Sequence, residues 1–107
     1  MNRKILIIDD DKEFVFLLSR IFIKKNETVF VAYTIEEGIA LLKEKEPDIV
    51  FLDNQLPDGT GWSQTEYILA NFPNTQLNLI SALEVPKTST SSFSIMDKQL
   101  LLEELRK

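Results

Sequence analysis

Short apolar runs alternate along the chain with stretches of helical period, the mark of a parallel sheet covered by helices. Lys4 to Ile8 reads as a buried strand. Phe14, Leu17, Leu18 and Ile21 then recur at i, i+3, i+4 and i+7, one apolar stripe of a helix with Asp11 as its N-cap. Thr28 to Ala32 is rich in β-branched and aromatic residues and predicts a second strand. Thr34-Ile35-Glu36-Glu37 follows as a capping box opening a helix to about Lys45, with Gly38 inside it costing roughly 1 kcal/mol against alanine.

Pro47 ends that helix, and Ile49 to Leu52 form an apolar strand that runs straight into Asp53. The loop Asn54 to Gly61 holds the turn sequence Pro57-Asp58-Gly59, in which proline presets φ and glycine permits a positive one. A third helix is predicted from about Trp62 to Asn71, with Trp62, Ile68, Leu69 and Phe72 toward the core, then a fourth strand at Leu77 to Ile80. From Leu83 to Ser92 the pattern lapses: Pro86 and five Ser or Thr residues leave no stripe of period 3.6, so a loop or a poor helix is expected. Phe93 to Met96 predicts a fifth strand and Leu100 to Leu105 a short amphipathic helix. The chain shows no internal repeat and no linker.

Length and composition bound what such a chain does. Its 107 residues, 44% apolar, suffice for one hydrophobic core, so residues 1–107 are read as a single domain. A net charge of −5 leaves no basic face for nucleic acid or an anionic membrane. There is no cysteine and no histidine, which excludes disulfides, thiolate sites, zinc cages and histidine triads. The apolar run Ile5 to Ile8 is too short for a signal peptide or a membrane span, and the expectation is a cytoplasmic protein.

In an open α/β sheet, ligands bind beyond the carboxyl ends of the strands where strand order reverses. Strand one ends in Asp9 and Asp10, strand three in Asp53, strand four in Ser81, and Lys98 lies just beyond strand five. A strand order of 2-1-3-4-5 makes strands one and three neighbours, which brings Asp9, Asp10 and Asp53 to one crevice. Three carboxylates in a partly buried site repel one another and hold protons unless a cation neutralises them. Mg²⁺ suits carboxylates plus a backbone carbonyl and keeps places for water and phosphate. One carboxylate is then free to attack phosphorus, with a hydroxyl and an ammonium, Ser81 and Lys98, as donors to the transferring group.

These residues resemble the response-regulator receiver domains of two-component signalling. Ile7-Ile8-Asp9-Asp10-Asp11 is similar to the family's strand-one acidic pair, and Asp53-Asn54-Gln55-Leu56-Pro57-Asp58-Gly59-Thr60-Gly61 to its phosphoacceptor loop. The resemblance implies a flavodoxin-like doubly wound sheet with Asp53 as the phosphorylation site. It implies Mg²⁺ held by Asp9, Asp10, Asp53 and the Gln55 backbone carbonyl. Ser81-Ala82 resembles the family's hydroxyl followed by a small residue, and Lys98 its phosphate-binding lysine. The implied partners are a sensor histidine kinase or a histidine phosphotransfer protein and an unknown downstream protein. Catalysis is implied only for the domain's own phosphorylation and dephosphorylation.

The chain departs from the family pattern in three places. Ile95 stands where receivers have an aromatic residue, and Gln99 follows the lysine where they have proline. The stretch between Ser81 and Lys98 is short, so the fourth helix is expected to be shortened or absent, taking with it the face the family uses for dimers and output.

Plainer readings stand beside these. Asp11 reads as a cap, and Trp62, Tyr33 and Tyr67 as packing residues. One competing function is a pseudo-receiver that works through protein contacts without phosphate. Another is a phosphatase of the haloacid dehalogenase type, which needs a second aspartate two positions after the nucleophile, where this chain has Gln55.

Overall fold

The computed structural model describes residues 2–82 and 93–107. Five strands form one parallel sheet: β1 (Lys4–Ile8), β2 (Thr28–Ala32), β3 (Ile49–Asp53), β4 (Gln76–Ser81) and β5 (Ser94–Asp97), in the order β2-β1-β3-β4-β5. This is the flavodoxin-like order that the family resemblance implied. Helices α1 (Lys12–Lys24), α2 (Ile35–Lys45), α3 (Thr65–Asn71) and α4 (Lys98–Leu105) cover it. The expected loop or poor helix at 83–92, and with it the shortened or absent fourth helix, lies outside the described residues.

The period of two along each strand divides the core between the two faces of the sheet. Ile5, Ile7, Phe51 and Ile80 meet Phe14, Val15, Leu18 and Phe22 of α1 and Leu101 of α4. Leu6, Ile8, Val50, Leu52, Leu77 and Leu79 meet Leu42 of α2 and Ile68 of α3. The central strands are therefore apolar on both faces, which is why β1 and β3 read as continuous runs. The α1 stripe is rotated slightly from the predicted one. Val15 and Phe22 are buried, while Leu17 and Ile21 are half-buried at its margin, because the helix turns the 14-15-18-22 face to the sheet.

Helix ends follow local chemistry. The Asp11 side chain accepts from the Phe14 N–H, as predicted. Thr34 Oγ1 accepts from the Glu37 N–H, but the Glu37 carboxylate returns to the Thr34 hydroxyl, so the box closes side chain to side chain. Glu46 takes a left-handed φ of 48° to leave α2, since Pro47 bars it from continuing the helix. Gly38 is no weak point. A Cβ there would stand 2.5 Å from Ile8 Cδ1, so glycine is what lets α2 lie close on β1.

Two details of the chain's second half differ from expectation. Asp97 caps α4 through the Gln99 and Leu100 N–H groups, so that helix begins at Lys98. Trp62 was predicted to face the core but is 55% exposed, in a 3₁₀ turn (Trp62–Gln64) that precedes α3. The backbone at Gly61 already packs on the Asp53 carbonyl, Leu52 and Leu79, which leaves no room for an indole beneath it. The ring instead meets Phe93 edge-on at 5.8 Å. Among the described residues, no helix is long and apolar enough to cross a membrane.

Candidate functional site

The parallel sheet delivers the ends of β1, β3 and β4 to one edge, and the start of α4 closes it. Asp9 follows β1, its N–H still donating to Ala32 O at 2.9 Å. Asp53 ends β3, and the next N–H, of Asn54, donates to Ile80 O at 3.0 Å. Carboxylate oxygens of Asp9, Asp10 and Asp53 all lie within 4.8 Å of one another. Asp9 is fully buried, Asp53 is 5% exposed, and Asp10 stands exposed at the mouth.

Lys98 crosses from the first turn of α4 to this cluster. Its Nζ lies 2.8 Å from Asp9 Oδ2 and 3.4 Å from Asp53 Oδ1. The ammonium also lies 5.0 Å from the centre of the Phe14 ring, an apolar floor that limits its freedom. A lysine before a surface helix is ordinarily solvated, yet this one is 9% exposed. Phe14 read only as a core residue from sequence. What would have pointed to it is its place in the first turn of the helix that follows the acidic pair.

A cleft of about 380 Å³ opens beside the cluster, lined by Asp10, Asp53, Gln55, Leu56, Pro57, Ser81, Ala82 and Lys98. Ser81 is buried at the end of β4, in register with Asp97 of β5. The Gln55 backbone N–H helps hold the charge on the Asp53 carboxylate. All the residues singled out from sequence, Asp9, Asp10, Asp53, Gln55, Ser81 and Lys98, thus converge. Ile95, at the family's aromatic position, is half-buried on the α2–α3 side of β5, the side that also takes Phe93.

Three carboxylates face one ammonium, so negative charge is in excess. Burial, and then the neighbouring Asp9 charge, raise the Asp53 carboxyl to about 6, against the pull of Lys98 and the Gln55 N–H. Burial also raises Asp9, more than Lys98 and the Asp11 N–H can offset. For Lys98, burial would lower the ammonium, but Asp9 and Asp53 outweigh it and the net direction is upward. Asp9 Oδ1 accepts from the Asp11 N–H at 2.9 Å. Asp9 Oδ2 is buried with the Lys98 ion pair but no aligned hydrogen bond.

A buried oxygen short of a donor, raised carboxyls and an all-oxygen donor set fit a hard divalent cation. Asp10 stands exposed where it lines the cleft, so the site is open to water. The acidic, lysine-bridged pocket thus lies at the switch point of an open doubly wound sheet, the place where such sheets bind ligands. A sequence profile described as the response regulator receiver domain matches residues 5–102, and the chain belongs to that family.

Solved structures agree at the level of fold. The CheY-like response regulator receiver domain protein from Methanospirillum hungatei JF-1 is similar with a TM-score of 0.79 at 20% identity, over 99% of this chain and 92% of that one. The signal receiver domain of a DNA binding response regulator from Colwellia psychrerythraea 34H gives 0.77 at 22% identity, over 98% and 96%. The BeF3-activated N-terminal receiver domain of Klebsiella pneumoniae RstA gives 0.77 at 21% identity, over 96% and 95%.

Proposed function

We propose that the chain, over residues 1–107, is a single phosphoacceptor receiver domain of a two-component phosphorelay. In this reading Mg²⁺-dependent phosphorylation of Asp53 switches its contacts with other proteins. The observation that carries it is the placement of Lys98 Nζ between Asp9 and Asp53 at the foot of an acidic cleft. A fold kept only for protein contacts gains nothing from burying two carboxylates and a lysine together, since such a group is at best neutral for stability. That argument disfavours the phosphate-independent pseudo-receiver.

The chemistry follows from the groups present. Asp53, raised to about 6, is mostly ionised at pH 7 and is a more basic oxygen nucleophile than an ordinary aspartate. Its carboxylate forms the new P–O bond as the donor's bond to phosphorus breaks, the electron pair leaving with the donor. With a phosphohistidine donor that bond is P–N and the pair returns to the imidazole. Lys98 is positioned to transfer its charge from the Asp53 carboxylate to a phosphoryl oxygen, while Ser81 donates to another. Asp9, Asp10, Asp53 and the Gln55 carbonyl would hold Mg²⁺, which supplies neutralisation of the charge on the transferring group. Asp9 keeps Lys98 aimed throughout.

A sensor histidine kinase or a histidine phosphotransfer protein is the proposed donor, and an unidentified protein the downstream target. The net charge of −5 supports a domain that does not itself bind nucleic acid or membrane, and we place it in the cytoplasm. It is not a classical enzyme in this reading, turning over only its own phosphoryl group. Incubation with acetyl phosphate and Mg²⁺ followed by mass spectrometry tests it: wild type gains one base-labile phosphoryl group and Asp53→Asn gains none. Unmodified wild type would return the pseudo-receiver reading.

A further inference from the structure

Residues Gln55–Leu56 and Gly59–Thr60 pair as a minimal antiparallel ribbon, and its turn carries Asp58 away from the cleft toward α2. There Asp58 Oδ1 accepts from the Ile35 N–H at 2.9 Å and Oδ2 from the Glu36 N–H at 3.0 Å. Helix α2 thus has its free donors answered by two segments. Thr34 Oγ1 takes the Glu37 N–H and Thr34 O the Gly38 N–H, while the phosphoacceptor loop takes the two before them. The two backbone donors hold the Asp58 carboxyl below the usual range. Gly59, at φ +151°, brings the ribbon close enough that a Cβ there would stand 3.1 Å from Ile35 Cδ1. From sequence, Asp58 was only a turn former.

We propose that Asp58 is a positioning residue that latches the phosphoacceptor loop to α2, and so holds the Gln55 backbone where it meets Asp53 and the cation. The inference rests on the reading of Asp9, Asp10, Asp53 and Gln55 as a cation site. Gln55 lies on the ribbon strand that leads into the turn, and its backbone N–H helps hold the charge on the Asp53 carboxylate. The loop is short and its own ladder is two residue pairs. Among the described residues, what holds the ribbon's tip besides the latch is apolar: Leu56, half-buried against the α2–α3 core, and Gly59 close on Ile35. Groups that orient a metal ligand without touching the metal typically change affinity by about 10–100-fold when removed.

The full chain is titrated with Mg²⁺ alone, following the fluorescence of Trp62, the sole tryptophan, whose backbone N–H donates to Asn54 Oδ1 at the base of the same loop. In the metal-free protein, amide exchange at Gln55 is recorded by NMR. Asp58→Ala weakens Mg²⁺ binding about tenfold and speeds Gln55 exchange, and Asp58→Asn, which keeps one acceptor oxygen, falls between. Thr34→Ala removes a different cap from the same helix and leaves both readouts at the wild-type value, although it also lowers stability. Wild-type Mg²⁺ affinity in Asp58→Ala, or equal weakening in Thr34→Ala, overturns the latch. Should wild type bind no Mg²⁺, the cation-site reading fails by itself. Gln55 exchange then decides: faster exchange in Asp58→Ala alone sustains the latch, and unchanged exchange removes it.

Discussion

Metal-free, the site works against the fold, and Asp53→Asn exposes by how much. The folded protein holds a proton on Asp53 up to about pH 6, whereas the unfolded chain releases it near 3.8. Between those values the folded state binds more protons, so its stability falls as pH rises. A carboxyl moved from 3.8 to about 6 corresponds to about 3 kcal/mol lost once the pH exceeds 6. About half of that falls between pH 5 and 7.5. Asp9, also raised, acts in the same sense. Glu27 and Asp58, both lowered, act in the opposite sense but at more acid pH, and Lys98 stays charged throughout.

Replacing Asp53 by asparagine removes the charge but sets an amide beside an ammonium, so about 1–2 kcal/mol is recovered at pH 7.5 rather than the whole. The assay is urea unfolding followed by circular dichroism in EDTA at both pH values. Wild type loses stability from pH 5 to 7.5, while Asp53→Asn is the more stable protein at the higher pH and shows a shallower loss. Added Mg²⁺ raises wild-type stability at pH 7.5 by more than it raises the variant's. An Asp53→Asn protein weaker than wild type at pH 7.5, or parallel pH slopes, would refute the electrostatic account of the site.

Lys98→Met leaves Asp9 and Asp53 without their cation and is expected to cost about 3–5 kcal/mol in EDTA, partly restored by Mg²⁺; the same urea series measures it, and a cost below about 1 kcal/mol contradicts the ion-pair geometry. Gly38→Ala should destabilise, because overpacking against Ile8 at about 1–3 kcal/mol outweighs the gain of about 1 kcal/mol in helix propensity. Ile8→Val deletes the crowding Cδ1, so a double-mutant cycle should show favourable coupling between the two changes.

Much of this protein was legible in its sequence because the relevant forces act over a few residues. The apolar runs at Ile5 to Ile8 and Ile49 to Leu52 and the caps at Asp11 and Thr34 report backbone and burial preferences that need no distant partner. Strand order came from the family resemblance rather than from the pattern, since doubly wound sheets take more than one order, and with it came the meeting of Asp9, Asp10 and Asp53. What sequence could not decide depends on which surfaces approach which. Trp62 and Ile68 are both apolar members of one predicted helix, yet only the sheet and the close packing at Gly61 determine that one is solvated and the other buried. Gly38 read as a defect until β1 lay against it, and Asp58 as a turn residue until the end of α2 came within reach. Lys98 is the clearest case: its charge was plain, but its burial between two carboxylates from β1 and β3 exists only once α4 starts at the edge of the sheet. Such contacts are non-local, and their energy is set by desolvation, which a linear pattern of residue types does not carry.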